Sequence, residues 1–118
     1  MTHRFGLNEK VIRQICGVFA NYPQVEKAIL YGSRAKGNYK TGSDIDLTLY
    51  GGADLTLGIL YKIMEEVDDL LLPYTMDLSI FQQINDPEVI EHIRSVGVTF
   101  YEAQANGLPA IPGQTYGD

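Results

Sequence analysis

The chain has 118 residues, of which 45% are hydrophobic and 20% charged, and its net charge is -6 at pH 7. This length fits one globular domain with a single core, and the acidic balance argues against general nucleic-acid binding, which requires a basic surface. No apolar run approaches the roughly 18 residues of a membrane-spanning helix, and none follows the N-terminal basic residues, so we expect neither a membrane anchor nor a signal peptide. The single cysteine, Cys16, cannot form an internal disulfide, and a cytoplasmic location is expected.

Hydrophobic periodicity predicts alternating helices and strands along the first hundred residues. In chain order the predicted elements are a helix over 8–21, a strand over 25–32, a helical turn and loop over 33–42, a strand over 43–51, a long helix over 53–72, a strand over 74–81, a helix over 86–97 and a strand over 98–103. Pro23 and Pro73 follow the first and third of the helical segments, where they stop further helix. This order predicts an α/β fold, a small sheet with flanking helices.

The last sixteen residues contain five Gly or Pro and show little periodicity. We therefore predict a domain over residues 1–102 and an irregular C-terminal tail over 103–118. Leu108, Ile111 and Tyr116 are apolar side chains within this tail. Two interpretations stay open, a frayed terminus without a role and a segment that becomes ordered on a partner.

The stretch LYGSRAKGNYKTGSDIDLTLY, residues 30–50, carries polar residues that strand formation does not explain. In an extended strand Asp44 and Asp46 point to the same face, about 6.6 Å apart along the backbone. Their repulsion would destabilise the fold unless a cation lies between them, and carboxylate oxygens suit Mg²⁺. Asp77, in TMDLSIF, supplies a third carboxylate if its strand pairs with the strand of Asp46. Three carboxylates suffice for two Mg²⁺ ions roughly 3.5–4 Å apart, as in phosphoryl transfer.

The residues that end the preceding strand suit a phosphate group. Gly32 allows the backbone to approach a ligand closely, and Ser33 offers a hydroxyl and an amide at the start of a helical turn. Arg34 and Lys36 add positive charge beside them. Metal-binding carboxylates and a phosphate cradle on neighbouring strand ends predict a site for ATP or another nucleoside triphosphate.

This arrangement resembles the minimal nucleotidyltransferase family of the DNA polymerase β-like superfamily, from about residue 8 to residue 97. The resemblance is carried by Gly32-Ser33, by Asp44 and Asp46 after an eleven-residue step, and by the lone Asp77 on a later strand. It implies the polymerase β-like palm fold, with Asp44 and Asp46 as ligands of both metals, Asp77 as a ligand of the catalytic metal, and Gly32 and Ser33 on the triphosphate. It also implies transfer of a nucleoside monophosphate to a hydroxyl, and in many members an antitoxin role toward a helical HEPN-type toxin.

Three functions stay open at this stage. The first is transfer of AMP to a hydroxyl of a partner toxin, and the second is a binding module that covers a toxin without turnover. The third is nucleotidyl transfer to a small molecule, as in antibiotic modification. The complete set of carboxylates favours an enzyme, and the short chain favours an acceptor supplied by a partner protein. The base of the nucleotide, the acceptor group and the homo- or hetero-oligomeric state are left open.

Other chemistry-bearing residues are assigned structural or surface positions. Cys16 is predicted to pack as a small apolar side chain, and Met64 and Met76 are predicted to lie in the core. His3 and His92 are interpreted as ordinary surface residues.

Overall fold

The computed structural model describes residues 3–103 and 109–110 of the chain. Its helices are α1 (Glu9–Ala20), α2 (Ser33–Lys36), α3 (Leu57–Asp68) and α4 (Pro87–Val96). Its strands are β1 (His3–Arg4), β2 (Leu7–Asn8), β3 (Val25–Tyr31), β4 (Ile45–Gly51), β5 (Met76–Ile80), β6 (Val98–Ala103) and β7 (Pro109–Ala110). Every helix and strand predicted from the sequence is present, and the β1–β2 hairpin was not predicted.

The main sheet has the strand order β5-β4-β3-β6-β7. Only the β4–β5 pair is parallel, and the other neighbours are antiparallel. The sheet is therefore mixed, which confirms the predicted fold class. Because the parallel pair needs a crossover connection, α3 joins β4 to β5 across one face of the sheet.

The hydrophobic core lies between this face and the helices α1 and α3. The alternate residues Ile45, Leu47 and Leu49 of β4 are fully buried there. Burial of a side chain of this size stabilises the fold by about 1.5–3 kcal/mol. The opposite face carries α4, whose His92 packs against Tyr31 of β3. These layers leave the remaining polar residues of β4 and β5 on the α4 side of the sheet.

Local signals determine where the helices begin. The Asn8 side chain accepts a hydrogen bond of 2.9 Å from the Val11 N–H, and Thr56 likewise accepts from the Ile59 N–H at 3.3 Å. Side chains at this position satisfy backbone donors that the first helical turn leaves free, at about 1 kcal/mol each. The longest helices, α1 and α3, have 12 residues each, and no helix of the described ranges has the length and apolarity needed to cross a membrane.

The predicted boundaries fail at two places. Ala103 closes β6, and Pro109–Ala110 pairs with that strand, so the prediction of an irregular tail is wrong at these positions. Leu108, Ile111 and Tyr116, for which both interpretations of the tail stayed open, lie outside the described residues. α3 covers Leu57–Asp68 rather than the predicted 53–72. Thr56 caps its start, and the left-handed backbone angle of Leu71, φ 55°, prevents the helix from reaching residue 72.

Candidate active site

Three neighbouring strands bring Tyr31, Asp46 and Asp77 into one row. Tyr31 of β3 lies opposite Asp46 of β4, and Asp46 lies opposite Asp77 of β5. Neighbouring strands are about 4.8 Å apart, and residues directly opposite each other face the same side of the sheet. Asp44 is exposed and immediately precedes β4. The predicted pairing of the two aspartate strands is confirmed, and it makes Asp46 and Asp77 neighbours.

Gly32 immediately precedes α2 and lies against Asp46, a member of this row. Its backbone angles are φ 76° and ψ -158°, a conformation essentially restricted to glycine. A Cβ atom at this position would lie 2.3 Å from Oδ2 of Asp46, which is far inside a contact distance. The glycine is therefore required twice, for its backbone angles and for the approach of the carboxylate. The group that approaches Gly32 closely is Asp46, and the predicted approach of a ligand to this glycine stays a prediction.

Ser33 is half-buried and opens the short helix α2 directly after Gly32. The Ser33 carbonyl accepts a hydrogen bond of 2.9 Å from the Gly37 N–H, and the Gly32 carbonyl accepts one of 3.1 Å from the Lys36 N–H. These bonds fix the turn while leaving the Ser33 N–H in the first turn, where no intrahelical acceptor exists. Ser33 thus directly follows Gly32, whose Cα lies against Asp46, and the contact of its hydroxyl and amide with phosphate stays a prediction.

The charged form of Asp46 is destabilised by its surroundings. Burial raises the pKa of Asp46, and the negative charges of Asp77 and then Asp44 raise it further, while His92 opposes the shift. A carboxylate in this position gains free energy from any cation that binds next to it. The row is therefore electrostatically suited to a positively charged ligand.

The carboxylates of Asp44, Asp46 and Asp77 are chemically suited to a divalent metal, but they are not arranged as a complete metal site. Within residues 3–103, no three Asp, Glu, His or Cys side chains are gathered closely enough to hold an ion. Asp44 and Asp77 are exposed, so their side chains can rotate, whereas Asp46 is held against Gly32. Carboxylate oxygens are hard ligands of the kind that Mg²⁺ prefers. Asp46 would be the fixed ligand of such a site.

Arg34 has a position different from the predicted phosphate contact. Its side chain is 3% exposed. Its Nε and Nη2 donate hydrogen bonds of 3.1 and 2.8 Å to the Ser43 carbonyl, and its Nη1 donates one of 2.9 Å to the Phe5 carbonyl. The guanidinium also lies 5.4 Å from the ring centre of Tyr39 and 5.1 Å from that of Tyr74. Arg34 therefore ties the β1–β2 turn to the loop that ends at Asp44, and the prediction that it contacts phosphate is not supported.

Sequence reasoning missed His92. It is half-buried on α4, where its ring meets the Tyr31 ring edge-on, with 6.2 Å between ring centres. Tyr31 lies opposite Asp46 in the row, so the prediction of an ordinary surface histidine is wrong. The available signal was its helical spacing from Val89 and Val96, both half-buried, which places His92 toward the sheet.

The remainder of this face is filled by the protein's own side chains. Ser79 Oγ donates to Thr48 Oγ1 at 3.0 Å, and Tyr50 stacks on Phe81 with 4.5 Å between ring centres. Lys27 lies over the other side of the Tyr50 ring, at 4.7 Å from its centre. A ligand on this face is therefore confined to the end of the sheet that carries the carboxylates and Gly32.

Comparison with known proteins agrees with this geometry. The chain is similar to one in a crystal structure of a toxin–antitoxin with AMP-PNP, with a TM-score of 0.62 and 20% identity over 86% of this chain and 78% of that one. It is also similar to one in the toxin–antitoxin MntA–HepT, with a TM-score of 0.59 and 15% identity over 85% and 77% of the two chains. A third is in the complex of a tri-AMPylated Shewanella oneidensis HEPN toxin with an MNT antitoxin, with a TM-score of 0.58 and 15% identity over 82% and 74%.

At these identities the likeness is one of fold. Comparison with curated protein sequences found no significant match. A family model described as "Polymerase beta, Nucleotidyltransferase" matches residues 13–106, which is most of the chain and includes Gly32, Ser33 and all three aspartates. The chain therefore belongs to the polymerase β nucleotidyltransferase family.

Proposed function

We propose that this protein transfers a nucleoside monophosphate, AMP from ATP, to a hydroxyl of a helical HEPN-type toxin and thereby acts as its antitoxin. The observation that carries the proposal is the pairing of Asp46 with Asp77 across β4 and β5, closed by Gly32. Membership of a nucleotidyltransferase family supports the class of reaction. The pairing of Asp46 with Asp77 supports the location of the active site in this chain.

Each site residue has a distinct role in this proposal. Asp44 and Asp46 would hold two Mg²⁺ ions, and Asp77 would hold the one nearer the acceptor. Bound Mg²⁺ supplies charge neutralisation of the triphosphate and a lowered pKa of the attacking hydroxyl. Gly32 and Ser33 position the triphosphate by backbone approach and by the Ser33 hydroxyl and amide. The acceptor oxygen bonds to the α-phosphorus, the bond from that phosphorus to the bridging oxygen breaks, pyrophosphate leaves, and the hydroxyl proton passes to solvent.

The choice of a protein acceptor is supported by the proteins of similar fold. Three proteins of similar fold are described as parts of toxin–antitoxin complexes, and one of those complexes contains an AMPylated HEPN toxin. A partner that carries its own acceptor hydroxyl would complete the site.

Intact-mass spectrometry tests the proposal. Where a HEPN-type helical protein is encoded in an adjacent reading frame, it is incubated with this chain, Mg²⁺ and each nucleoside triphosphate in turn. We expect the partner's mass to increase by whole nucleoside monophosphates with ATP, and no increase with EDTA or with the Asp46→Asn variant. An unmodified partner that is nevertheless bound and inhibited would support the non-catalytic antitoxin instead.

A matched test addresses the nucleotide site alone. Calorimetric titration of ATP into the protein is run with Mg²⁺ and with EDTA. We expect binding only with Mg²⁺, because the carboxylates of the row repel the triphosphate when no cation is bound. Equal affinity under both conditions would contradict a metal-dependent site.

A further inference from the structure

Large hydrophobic side chains are exposed mainly on and just after α3. Among the described residues five such side chains are exposed, and four of them are Leu57 (46%), Tyr61 (57%), Met64 (38%) and Leu71 (87%). The first three are spaced four and three residues apart and form a single stripe along the helix. The prediction that Met64 lies in the core is therefore wrong. A contiguous apolar stripe of this kind marks an interaction surface more often than scattered exposed side chains do.

The stripe continues into a groove beside β5. A cavity of about 110 Å³ opens there, lined on one side by Met64, Val67 and Asp68 of α3 and on the other by Met76 and Leu78 of β5. In the described part of the chain β5 is an edge strand, paired with β4 on one side only. We refer to the stripe and this cavity together as the α3–β5 groove.

Charge around the groove is mostly negative. Residues 57–71 contain four acids and one base, Lys62. Glu66 is engaged by the Tyr22 hydroxyl, whereas Glu65, Asp68 and Asp69 are exposed. A partner that carries basic residues beside its apolar contact would be attracted, and an acidic partner would be repelled.

The groove lies next to the carboxylate row. Met76 and Leu78 face the groove, and Asp77 between them faces the opposite side of β5. A protein seated in the groove is therefore separated from Asp77 by the thickness of one strand. This places it where a segment reaching around the edge of the sheet could present a hydroxyl to the site.

We propose that the α3–β5 groove docks an amphipathic helix of a partner protein, whose apolar stripe is flanked by Lys or Arg. A helix fits because the three-residue stripe on α3 forms a ridge of the kind that packs into the groove of a facing helix. A second copy of this chain fits less well, because its own groove carries the same excess of acids over residues 57–71, so two copies bring two surfaces of net negative charge together. The proposal rests on the proposed function in taking this partner as the acceptor protein.

The test needs neither nucleotide nor metal, so its failure is separate from a failure of nucleotidyl transfer. Amide resonances of the full chain are followed by NMR during titration with a helical peptide of about 18 residues, a length that allows a marginally stable helix. The peptide carries Leu at the spacing of the α3 stripe, flanked by Lys, and a twin peptide carries Glu in place of each Lys.

We expect the Lys peptide to shift resonances of residues 57–72 and 76–78 and the Glu peptide to shift none. Tyr61→Ala should weaken the affinity for the Lys peptide at least tenfold, and Asp68→Lys should weaken this affinity severalfold. Glu102→Lys, which makes the same charge change at an exposed position of β6, should leave its affinity unchanged.

Three outcomes would overturn the proposal. They are equal binding of the two peptides, resonance shifts located outside the groove, and dimerisation of the chain at increasing concentration that is lost in Tyr61→Ala. The last of these would assign the groove to a second copy of the chain.

Discussion

Gly32 and Asp46 are in contact so close that no side chain can be added between them, since a Cβ on residue 32 would lie 2.3 Å from the Asp46 carboxylate. This contact holds the carboxylate at the junction of β3, β4 and the turn into α2. It leaves Asp46 the most constrained of the three aspartates, because Asp44 and Asp77 are exposed. The site is thus built around one fixed carboxylate and two adjustable ones.

Gly32→Ala should therefore remove the nucleotide site at a modest cost in stability. The Ala side chain must displace Asp46, and its backbone angles cost on the order of 1–3 kcal/mol. Gly37→Ala is the matched control, because Gly37 also has a positive φ, 87°, but a Cβ there meets no atom within 4 Å. We expect the smaller loss of thermal stability in Gly37→Ala, because its left-handed backbone is less restricted and its added Cβ meets no atom. A loss of Mg²⁺-dependent ATP affinity of tenfold or more is expected in Gly32→Ala alone. Equal affinities in the two variants would show that the contact has no functional role.

Substitutions of Asp46 and Asp77 should affect nucleotide binding and nucleotidyl transfer differently. Asp46→Asn removes the fixed carboxylate and should weaken both nucleotide binding and transfer. Asp77→Asn should abolish transfer while leaving part of the binding, because the proposed role of Asp77 concerns the acceptor side only. Titration calorimetry and the partner's mass increase measure the two effects, and wild-type turnover in Asp77→Asn would exclude that residue from the chemistry.

Without metal, Asp46→Asn should be more stable than the wild-type protein. Burial and the charges of Asp77 and Asp44 raise the pKa of Asp46, so the folded state disfavours its ionised form. A carboxyl group whose folded pKa is raised costs stability increasingly as the pH increases from its unfolded pKa through its folded pKa. Thermal melts in EDTA at pH 7 should give a higher midpoint for Asp46→Asn than for wild type. Asp54→Asn, an exposed acid outside the row, should not change the midpoint.

Arg34→Lys tests the structural role of the buried guanidinium. A lysine cannot donate to the Ser43 and Phe5 carbonyls together, and it has no flat surface to lie between Tyr39 and Tyr74. Loss of a buried charged partner of this kind costs about 2–4 kcal/mol. We expect that loss in urea melts of the nucleotide-free protein, whereas Lys36→Ala on the same short helix should cost less than about 0.5 kcal/mol because Lys36 is exposed. If Arg34→Lys keeps full stability but binds ATP more weakly, the result would support the predicted contact of Arg34 with phosphate.

Local sequence patterns predicted the strands of the site but not the tertiary contacts of its side chains. The strands of Asp46 and Asp77 were predictable because apolar and polar residues alternate in both, and their pairing followed from placing their carboxylates together. The contacts of Arg34 were not predictable, because they depend on segments distant in the chain. The helical spacing of His92 indicates that it faces the sheet but not which strand residue it meets. Arg34 is buried by the β1–β2 turn and by Tyr74, and His92 approaches Asp46 only because α4 packs on β3. Met64 fits the helical period of the core but lies at its margin, where periodicity alone does not separate buried from exposed.

Cys16 should be unreactive in the folded protein. Its thiol is buried on α1 and lies 3.5 Å from the Phe100 carbonyl, and burial raises its pKa to about 12. The thiolate is the reactive form, so at pH 8 the reactive fraction is negligible and reagents also lack access. We expect Ellman's reagent to leave the native protein unmodified over hours and to modify one thiol at once in guanidinium chloride. Because reaction requires opening of α1 from β6, the slow rate in native buffer should increase in Arg34→Lys by a factor of ten for each loss of about 1.4 kcal/mol in stability, if the opening is global. A rapid native reaction would place Cys16 in a region that opens independently of the core.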